Sequence, residues 1–376
     1  MRIAIMARSF DEKGGIGVYT RNIIRELLTL DTQNKYFVYF RNRDLLGSLQ
    51  GFPNVLERHV PGRFKVTWDQ VAVPLAAKRD RVDLIFHPKF TVPLFASARR
   101  IMVMHGAATM LPNYAKEFNR FDVVYNRLVR PYYFGACSKI LCVSKCTTEG
   151  FAHAIPRYKD RLITTYFGPH AAFRPIQDRK ELEAVRGRYG LPEKFILTVI
   201  RYDTGTPNTL KNAGNMFKAF ALLKKDRRVE HQFVVVGKDC DRYGTEHRID
   251  ELGIAEDVLF PGFVEQRDLP AFYNLASLYL YPTIIEAFPV PITEAMACGT
   301  PIVTSHGTGL EELAGDAALK VNPLCPEEIA EAAYRLLTDK DLARRLVERG
   351  FERSKLFSWK KCAQKTLQVF REVVQG

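Results

Sequence analysis

The chain has 376 residues, of which 47% are hydrophobic and 26% charged, and its formal net charge is +13. This length suits two domains, and the composition is that of a globular protein with an ample core. No run approaches the roughly 18 consecutive apolar residues of a transmembrane helix, and the N-terminus, MRIAIMARSF, has too short an apolar run for a signal peptide. The seven cysteines show no pairing pattern. Together these features predict a cytoplasmic protein.

The positive charge lies in the N-terminal half. Residues 1–175 contain 27 Lys and Arg against 13 Asp and Glu, whereas the remainder contains 28 against 29. This asymmetry favours an anionic partner, such as a membrane surface, a lipid phosphate or a nucleic acid, although a merely solvated basic surface is the alternative. The segments 91–100 and 126–135 combine arginines with apolar side chains and could rest on a bilayer. For residues 126–135, burial inside the fold is the competing interpretation.

Strand-like runs alternate with helical patterns along the whole chain, which predicts parallel sheets with helices on both faces. The predicted strands of the first half are residues 3–6, 36–39, 84–86, 101–104, 140–143 and 163–166, and its helices are residues 18–30, 69–78, 120–135 and 145–153. The predicted strands of the second half are residues 195–200, 233–236, 258–260, 278–281, 302–304 and 319–321. Its helices are residues 212–224, 245–252, 269–275, 292–298 and 327–337. We predict a first domain at residues 1–168, a linker at 169–192 and a second domain at 193–357.

Two glutamates, Glu286 and Glu294, stand in the segment PTIIEAFPVPITEAMACGTPIVTS, residues 282–305. The segment reads as strand, loop, helix and strand, with Pro291 as the first helical residue and Gly299 just past the helix end. Glu294 is therefore expected in the first helical turn, where backbone N–H groups favour phosphate. A carboxylate there can accept two hydrogen bonds from a vicinal diol such as a ribose. Glu286, on the loop, can reach the group beyond the phosphates.

This segment resembles the donor-site signature of the family-four retaining glycosyltransferases. Their pattern is a Glu, Gly-Phe-Gly-Leu-Pro, two further residues, and Glu-Ala-Met-Ala-Cys-Gly-Thr-Pro; here Ala287 and Pro289 replace the two glycines. The resemblance implies the GT-B fold, with two Rossmann-like domains facing a cleft and a C-terminal helix, residues 358–374, crossing back to the first domain. It implies that Glu286 holds the donor sugar and Glu294 the ribose. It also places three further residues along the donor: Phe288, Pro289 and Val290.

Two cations follow the first predicted strand of the second domain. Arg201 follows the predicted strand 195–200, and Lys211 with Asn212 opens the next helix, so both cations could neutralise a diphosphate leaving group. Without the family, a surface charge is the favoured interpretation of each. The glycosyltransferases have Gly-Arg and Lys-Asn at these places, which implies catalytic roles for Arg201 and Lys211 and a donor contact for Asn212.

The first domain offers a glycine loop and a histidine. Residues 14–17, Gly-Gly-Ile-Gly, open the first helix and could let the backbone approach a phosphate or sugar, or form a plain turn. They lack the Gly-x-Gly-x-x-Gly spacing of a dinucleotide site. The family's glycine loop touches the donor, which implies contacts at Gly15 and Gly17. His105, directly after the strand 101–104, could contact the reacting sugar, shuttle a proton or be structural.

We therefore predict a glycosyltransferase that moves a hexosyl unit from a UDP-, GDP-, ADP- or dTDP-sugar to a hydroxyl of a glycan or lipid-linked acceptor, with the retention that the resemblance implies. No cofactor is expected. The Asp-x-Asp at Asp239 and Asp241 is the metal signature of a different fold, GT-A. The two-sheet organisation and the glutamate pair indicate GT-B, which does not need a bound metal, so no metal is expected either. A sugar-nucleotide epimerase, a phosphorylase, a nicotinamide oxidoreductase and a nucleic-acid-binding protein are the alternatives. Nucleic acid is not expected. The basic half predicts a peripheral position on the inner face of the cytoplasmic membrane.

Overall fold

The computed structural model describes residues 1–110, 115–202 and 208–376. These residues form two compact units: unit 1 combines Met1–Phe167 with Ser358–Gly376, and unit 2 is Gly168–Phe357. Each unit is built on one parallel sheet. Within the described residues, no helix has both the length and the apolarity that a bilayer crossing requires.

In the described part of unit 1, the sheet has the strand order β3-β2-β1-β4-β5-β6-β7. The strands are β1 Arg2–Met6, β2 Lys35–Phe40, β3 Val55–His59, β4 Leu84–His87, β5 Arg99–Met104, β6 Lys139–Cys142 and β7 Leu162–Thr164. The helices whose bounds lie within the described part of residues 1–167 are α1 Gly15–Leu30, α2 Lys65–Thr67, α3 Val73–Arg79, α4 Arg120–Ala136 and α5 Lys145–Ala154. A π-helical turn, Trp68–Ala72, joins α2 to α3.

The described part of unit 2 has the strand order β10-β9-β8-β11-β12-β13. The strands are β8 Phe195–Val199, β9 Gln232–Val236, β10 Val258–Gly262, β11 Leu278–Tyr281, β12 Ile302–Ser305 and β13 Leu319–Val321. The helices are α6 Arg179–Tyr189, α7 Ala213–Arg227, α8 Asp241–Glu246, α9 Leu269–Leu275, α10 Val290–Cys298, α11 Thr308–Ala314, α12 Pro326–Thr338 and α13 Lys340–Ser354. The last helix, α14 Trp359–Gln375, belongs to unit 1.

Two helices pack on the same face of the unit 1 sheet, over neighbouring strands. Helix α3 packs in a core cluster with Ala4 of β1 and Ile85 of β4, and α4 packs in a second cluster with Met102 of β5 and Ile140 of β6. The strand register places all four of these residues on the same side of the sheet. The opposite side is covered by α1 and α14, with Phe370 of α14 packed against Phe86.

Several secondary-structure predictions differ from the structure, and helix α11 was not predicted. Strand β3 was not predicted, because its side chains are only partly buried and give no apolar run. The helix expected at residues 245–252 is wrong: α8 runs from Asp241 to Glu246, and Arg248 then adopts a left-handed backbone with φ of 52° that ends the helix. The segment predicted as a linker lies in unit 2 and contains α6.

Candidate donor-binding site

The described strand order of unit 2 reverses between β8 and β11. From β8 the chain continues to β9 on one side, and from β11 it continues to β12 on the other. In open α/β sheets, ligands bind outside the carboxyl ends of the strands at such a reversal. Arg201 follows β8 at this point, and the loop bearing Glu286 follows β11. The sequence motifs of the second domain therefore converge on the topological switch point.

Lys211 and Glu286 form an ion pair at the switch point. The Nζ of Lys211 lies 2.6 Å from Oε1 of Glu286, and the hydroxyl of Tyr281 donates to the same oxygen at 3.1 Å. Burial and the nearby carboxylate raise the pKa of Tyr281 well above its usual value, so this residue remains a neutral donor. Both bonds use Oε1, which leaves Oε2 of Glu286 able to accept a bond from a ligand hydroxyl.

The loop bearing Glu286 is anchored on several sides. The side-chain amide of Asn212 donates to the carbonyls of Pro282 and Pro323, both at 2.7 Å. The N–H of Gly309 donates to the Glu286 carbonyl at 2.9 Å, and a Cβ at position 309 would lie 2.4 Å from the carbonyl oxygen of Ala287. These contacts fix the carboxylate before any ligand arrives. The Asn212 side chain, expected to contact the donor, serves here as an anchor of the loop.

Helix α10 begins at Val290, one residue earlier than predicted. Pro289, with φ of −74°, is the N-cap residue, so Pro291 takes the second helical position rather than the first. Glu294 consequently lies in the second turn, and the expectation that it stands in the first turn is wrong. The helix begins without a side-chain cap. Pro291 has no N–H and the N–H of Ile292 donates to the Pro289 carbonyl at 3.1 Å, so an external anion at this helix start would meet the N–H of Val290.

Glu294 is partly buried and bonded to a tyrosine. Its Oε2 accepts a hydrogen bond from the Tyr273 hydroxyl at 3.0 Å. Burial raises the pKa of Glu294 to about 7, and the bond from Tyr273 opposes that rise. The carboxyl group therefore titrates near neutral pH, which makes any ligand that needs the ionised form bind in a pH-dependent way.

Three tyrosine rings connect the two glutamates. The ring of Tyr279 stacks on that of Tyr281 with centroids 5.5 Å apart, and on its other side it packs against Tyr273 at 5.2 Å. The hydroxyl of Tyr281 donates to Glu286, and the hydroxyl of Tyr273 donates to Glu294. Sequence reasoning missed these residues. The two-residue spacing of Tyr279 and Tyr281 in a strand was an available signal, because it places both on one face of β11; the position of Tyr273 carried no such signal.

The remaining predicted residues of unit 2 have mixed environments. Phe288 is buried and packs edge to face on Phe357, with centroids 6.0 Å apart, so its ring holds the loop in place. The backbone carbonyl of Arg201 accepts from the Tyr243 hydroxyl at 3.1 Å, and its side chain is exposed. Gly237 allows this approach of β9 to β8, because a Cβ there would lie 1.7 Å from the Ile200 carbonyl oxygen. In the described parts of the chain, no group of three or more His, Cys, Asp or Glu side chains is placed to hold a metal ion.

The glycine loop of unit 1 contains one glycine required by sterics and one that is open. A Cβ on Gly17 would lie 1.8 Å from the carbonyl oxygen of Glu12, whereas a Cβ on Gly15 would meet nothing within 4 Å. The Glu12 side chain is itself paired with Lys89 at 2.5 Å. Gly17 therefore lets the loop fold onto the start of α1, and Gly15 leaves backbone exposed to a ligand.

His105 is held as a neutral imidazole. Its Nε2 lies 2.9 Å from the carbonyl oxygen of Pro88, which can only accept, so Nε2 carries the hydrogen and Nδ1 can accept. The ring packs edge to face against Tyr19 at 4.8 Å and Phe90 at 5.9 Å. Burial lowers the pKa of His105 to about 4. At neutral pH the residue can take a hydrogen bond or a proton at Nδ1, but it is not an acid.

A family model, glycosyl transferases group 1, matches residues 191–353, which lie in unit 2. Among curated proteins, the chain is 27% identical to the O-antigen chain mannosyltransferase B of Escherichia coli over 78% of this chain and 76% of that protein. It is 25% identical to the serotype-specific mannosyltransferase WbdA of Escherichia coli over 74% of this chain, but the match covers only 34% of that protein.

Among solved structures, HepE of Anabaena in complex with UDP and glucose superposes with a TM-score of 0.78 at 18% identity, covering 99% of this chain and 100% of that one. The predicted fold class, two Rossmann-like domains of the GT-B type, is thereby confirmed. The match at residues 191–353 includes both glutamates and the two switch-point cations. The chain is a glycosyltransferase with a domain of the glycosyl transferases group 1 family.

Proposed function

We propose that the protein transfers a hexosyl unit from a nucleotide sugar to a hydroxyl of a glycan or lipid-linked acceptor, with retention at the anomeric carbon and without a metal. The bonded set of Lys211, Glu286 and Tyr281 at the switch point of a group 1 domain carries this proposal. A cation and a carboxylate side by side suit a ligand in which a phosphate adjoins a sugar hydroxyl. The sugar nucleotide is the substrate, and no further cofactor is needed.

The donor would lie along α10 and its preceding loop. Glu294 would accept hydrogen bonds from the ribose diol, and the uncapped start of α10 would face the diphosphate. Glu286 would bind a donor hydroxyl through Oε2 while Lys211 holds Oε1. Arg201, with its exposed guanidinium, would add a second positive charge near the diphosphate.

The reaction we infer is a front-face substitution. The bond between the anomeric carbon and the leaving phosphate oxygen breaks, the acceptor oxygen bonds to the same face of that carbon, and the phosphate oxygen takes the acceptor proton. Charge grows on the diphosphate as the bond breaks, so Lys211 and Arg201 stabilise the transition state more than the ground state. The neutral His105 would accept a hydrogen bond from a sugar hydroxyl at Nδ1.

The sugar and the partners are proposed from relatives and charge. Two curated relatives are mannosyltransferases of O-antigen or serotype-specific type, which makes mannose the first hexose to test and a glycan the first acceptor. The neighbour HepE binds UDP and glucose, so uridine donors belong in the same screen. Unit 1 contains 30 Lys and Arg against 14 Asp and Glu. We therefore propose an anionic membrane surface as a further partner.

The proposal is tested with a panel of UDP-, GDP-, ADP- and dTDP-sugars, first by thermal shift and then by transfer to a lipid-linked or free glycan. The product's anomeric configuration is read by NMR. The double variant Lys211→Gln/Glu286→Gln should retain the fold and lose transfer. Its matched control is Lys194→Gln/Glu230→Gln, which removes a Lys–Glu pair of the same 2.6 Å length on the exposed surface of unit 2.

Each outcome bears on the proposal. Transfer with retention, lost in the first pair and kept in the control, supports it. Interconversion of the nucleotide sugar without an acceptor would replace it with an epimerase, and phosphate-dependent cleavage of a glycan with a phosphorylase. An inverted product, or equal activity in both double variants, would refute the assigned mechanism.

A further inference from the structure

Unit 1 exposes large apolar side chains on the two helical segments that cover one face of its sheet. On α4 they are spaced three or four residues apart and lie between 39% and 73% exposed: Phe121, Val124, Tyr125, Leu128 and Tyr132. The segment containing α2 and α3 adds four more, each at least 55% exposed: Phe64, Val66, Val71 and Leu75. We call these nine residues the apolar face. A soluble surface rarely leaves so many large apolar groups together unless they meet a partner or a membrane.

Both parts of the apolar face lie on the same side of the unit 1 sheet. Helices α3 and α4 pack through their inner residues on the same side of the sheet, on neighbouring strands. Their outer residues therefore point away from the sheet together. The inner side of α4 is occupied by the core residues Tyr133 and Phe134, so the outer stripe is additional to what the fold needs.

The charges around the apolar face are mostly positive. The exposed basic residues of these segments are Arg63, Lys65, Lys78, Arg79, Lys116, Arg120 and Arg127. The acidic residues Asp69 and Asp80 of the α2–α3 segment are buried, Glu117 next to Lys116 is half-buried, and Asp122 of α4 is exposed. An apolar stripe flanked by Lys and Arg is the pattern of a surface that lies in the interface of an anionic bilayer.

We propose that the apolar face inserts into the headgroup region of an anionic membrane while its basic residues bind lipid phosphates. This inference deepens the membrane part of the proposed function by naming the surface involved. A second copy of this chain is the less suitable occupant, because a symmetric dimer through this face would bring two basic surfaces together.

The test uses the full-length protein and vesicles of phosphatidylcholine, alone or mixed with phosphatidylglycerol, in a cosedimentation assay. The native protein should bind the mixed vesicles, and added salt should weaken that binding. Phe121→Ser/Leu128→Ser/Tyr132→Ser should bind roughly tenfold more weakly or worse. The matched control Phe263→Ser/Leu356→Ser, which removes exposed apolar groups from unit 2, should bind as the native protein does.

A second pair of variants separates the surface from net charge. Lys65→Gln/Lys78→Gln removes two charges beside the apolar face and should weaken binding by roughly tenfold at low salt. Lys360→Gln/Lys365→Gln removes two exposed charges from α14, on the opposite side of the same sheet, and should have little effect. Equal effects of the two pairs would mean that only net charge matters and would overturn the proposal.

Insertion is measured directly with Tyr132→Trp. The native tryptophans, Trp68 and Trp359, are buried and give a constant background. The new fluorophore should shift to shorter wavelength on vesicle addition and be quenched by brominated lipid. No shift, no vesicle binding by the native protein, or self-association that the serine variant abolishes would each overturn the proposal. Nucleoside diphosphate binding by the serine variant should stay native, so failure here is distinguishable from failure of the donor site.

Discussion

Unit 1 and unit 2 share the strand order of their first six strands but differ in what stands at the carboxyl ends. In unit 2 the switch point holds charged side chains in mutual bonds, centred on Lys211 and Glu286. In unit 1 the strand ends carry a glycine loop after β1 and the neutral His105 after β5, and the partner of His105 is a backbone carbonyl. Unit 2 contains 25 Lys and Arg against 28 Asp and Glu, so the net positive charge belongs to unit 1.

The two units have the same strand order but different chemistry at their strand ends, so the fold alone does not determine what each unit binds. One scaffold supports a cluster of bonded charged side chains in unit 2, and a glycine loop with a basic, partly apolar exterior in unit 1. The family model matches only the former. This is the expected arrangement if unit 2 binds a donor common to many relatives and unit 1 meets an acceptor that varies among them. The following predictions test whether unit 2 binds the donor and unit 1 the acceptor.

The largest effect is expected at Glu286. Glu286→Gln should lower kcat about a hundredfold or more while nucleoside diphosphate affinity changes by less than about twofold, because we propose that the residue binds the reacting sugar. Tyr281→Phe removes only one of its two donors and should cost about tenfold in kcat. Steady-state kinetics and titration calorimetry measure both. A Glu286 variant that loses diphosphate affinity instead would move the residue from the sugar to the phosphates.

Gly17→Ala should destabilise the protein, whereas Gly15→Ala should not. The new Cβ of the former would overlap the Glu12 carbonyl and force the loop to move, at about 1–3 kcal/mol, and the latter enters open space. Thermal unfolding measures the difference. If Gly15→Ala is stable but binds the nucleotide sugar less well, the glycine loop contributes to the donor site; if binding is unchanged, the donor belongs to unit 2 alone.

Glu294 should make donor binding depend on pH. Its pKa of about 7 means that the ionised form, which accepts both bonds of a diol, becomes populated across neutral pH. From about pH 6 to about pH 8, the nucleoside diphosphate affinity of the native protein should rise about tenfold more than that of Glu294→Gln. The variant is the control because the ligand's own phosphate ionises in the same way with both proteins. Calorimetry at both pH values checks this. Identical pH profiles would show that the carboxyl group does not bind the ribose.

The raised pKa of Glu294 also makes the stability of the fold depend on pH, and stability should fall with pH where donor affinity rises. Because the folded pKa is raised, protonated Glu294 stabilises the fold below its ordinary pKa, and this contribution is lost as pH rises through about 7. As pH rises from about 4.5 to about 7, the free energy of unfolding of the native protein should therefore fall relative to that of Glu294→Gln. Denaturant titrations of the two proteins measure the difference, and a difference that grows with pH would contradict the assignment.

The smallest effect is expected from chelation. If Lys211 and Arg201 supply the positive charge at the diphosphate, as we propose, excess EDTA should change transfer by less than about twofold, and Asp239→Ala/Asp241→Ala should behave similarly. Activity assays with and without the chelator test this. A loss restored by manganese would mean that a metal, rather than the two cations, neutralises the leaving group.

The sequence by itself was sufficient for the architecture and for finding the motif that follows a central strand of unit 2. Alternating apolar runs and helical patterns gave two parallel-sheet domains, because such runs need helices on both faces to be buried. The spacing of Glu286 and Glu294 around a proline turn identified the loop and helix that follow a central strand. The roles of these residues stay predictions until the variants are measured.

Only the tertiary structure decided how those residues are held. The pair of Lys211 and Glu286 joins positions 75 residues apart, and the tyrosines that bond the glutamates come from different elements. The one-residue shift in the start of α10 moved Glu294 to the second turn, a difference that depends on the backbone around Pro289. Likewise, the exposed stripe on α4 could be recognised only once its inner side was seen to fill the core. A sequence pattern gives the periodicity of an element, but contacts between distant elements determine which side is buried and which charges meet.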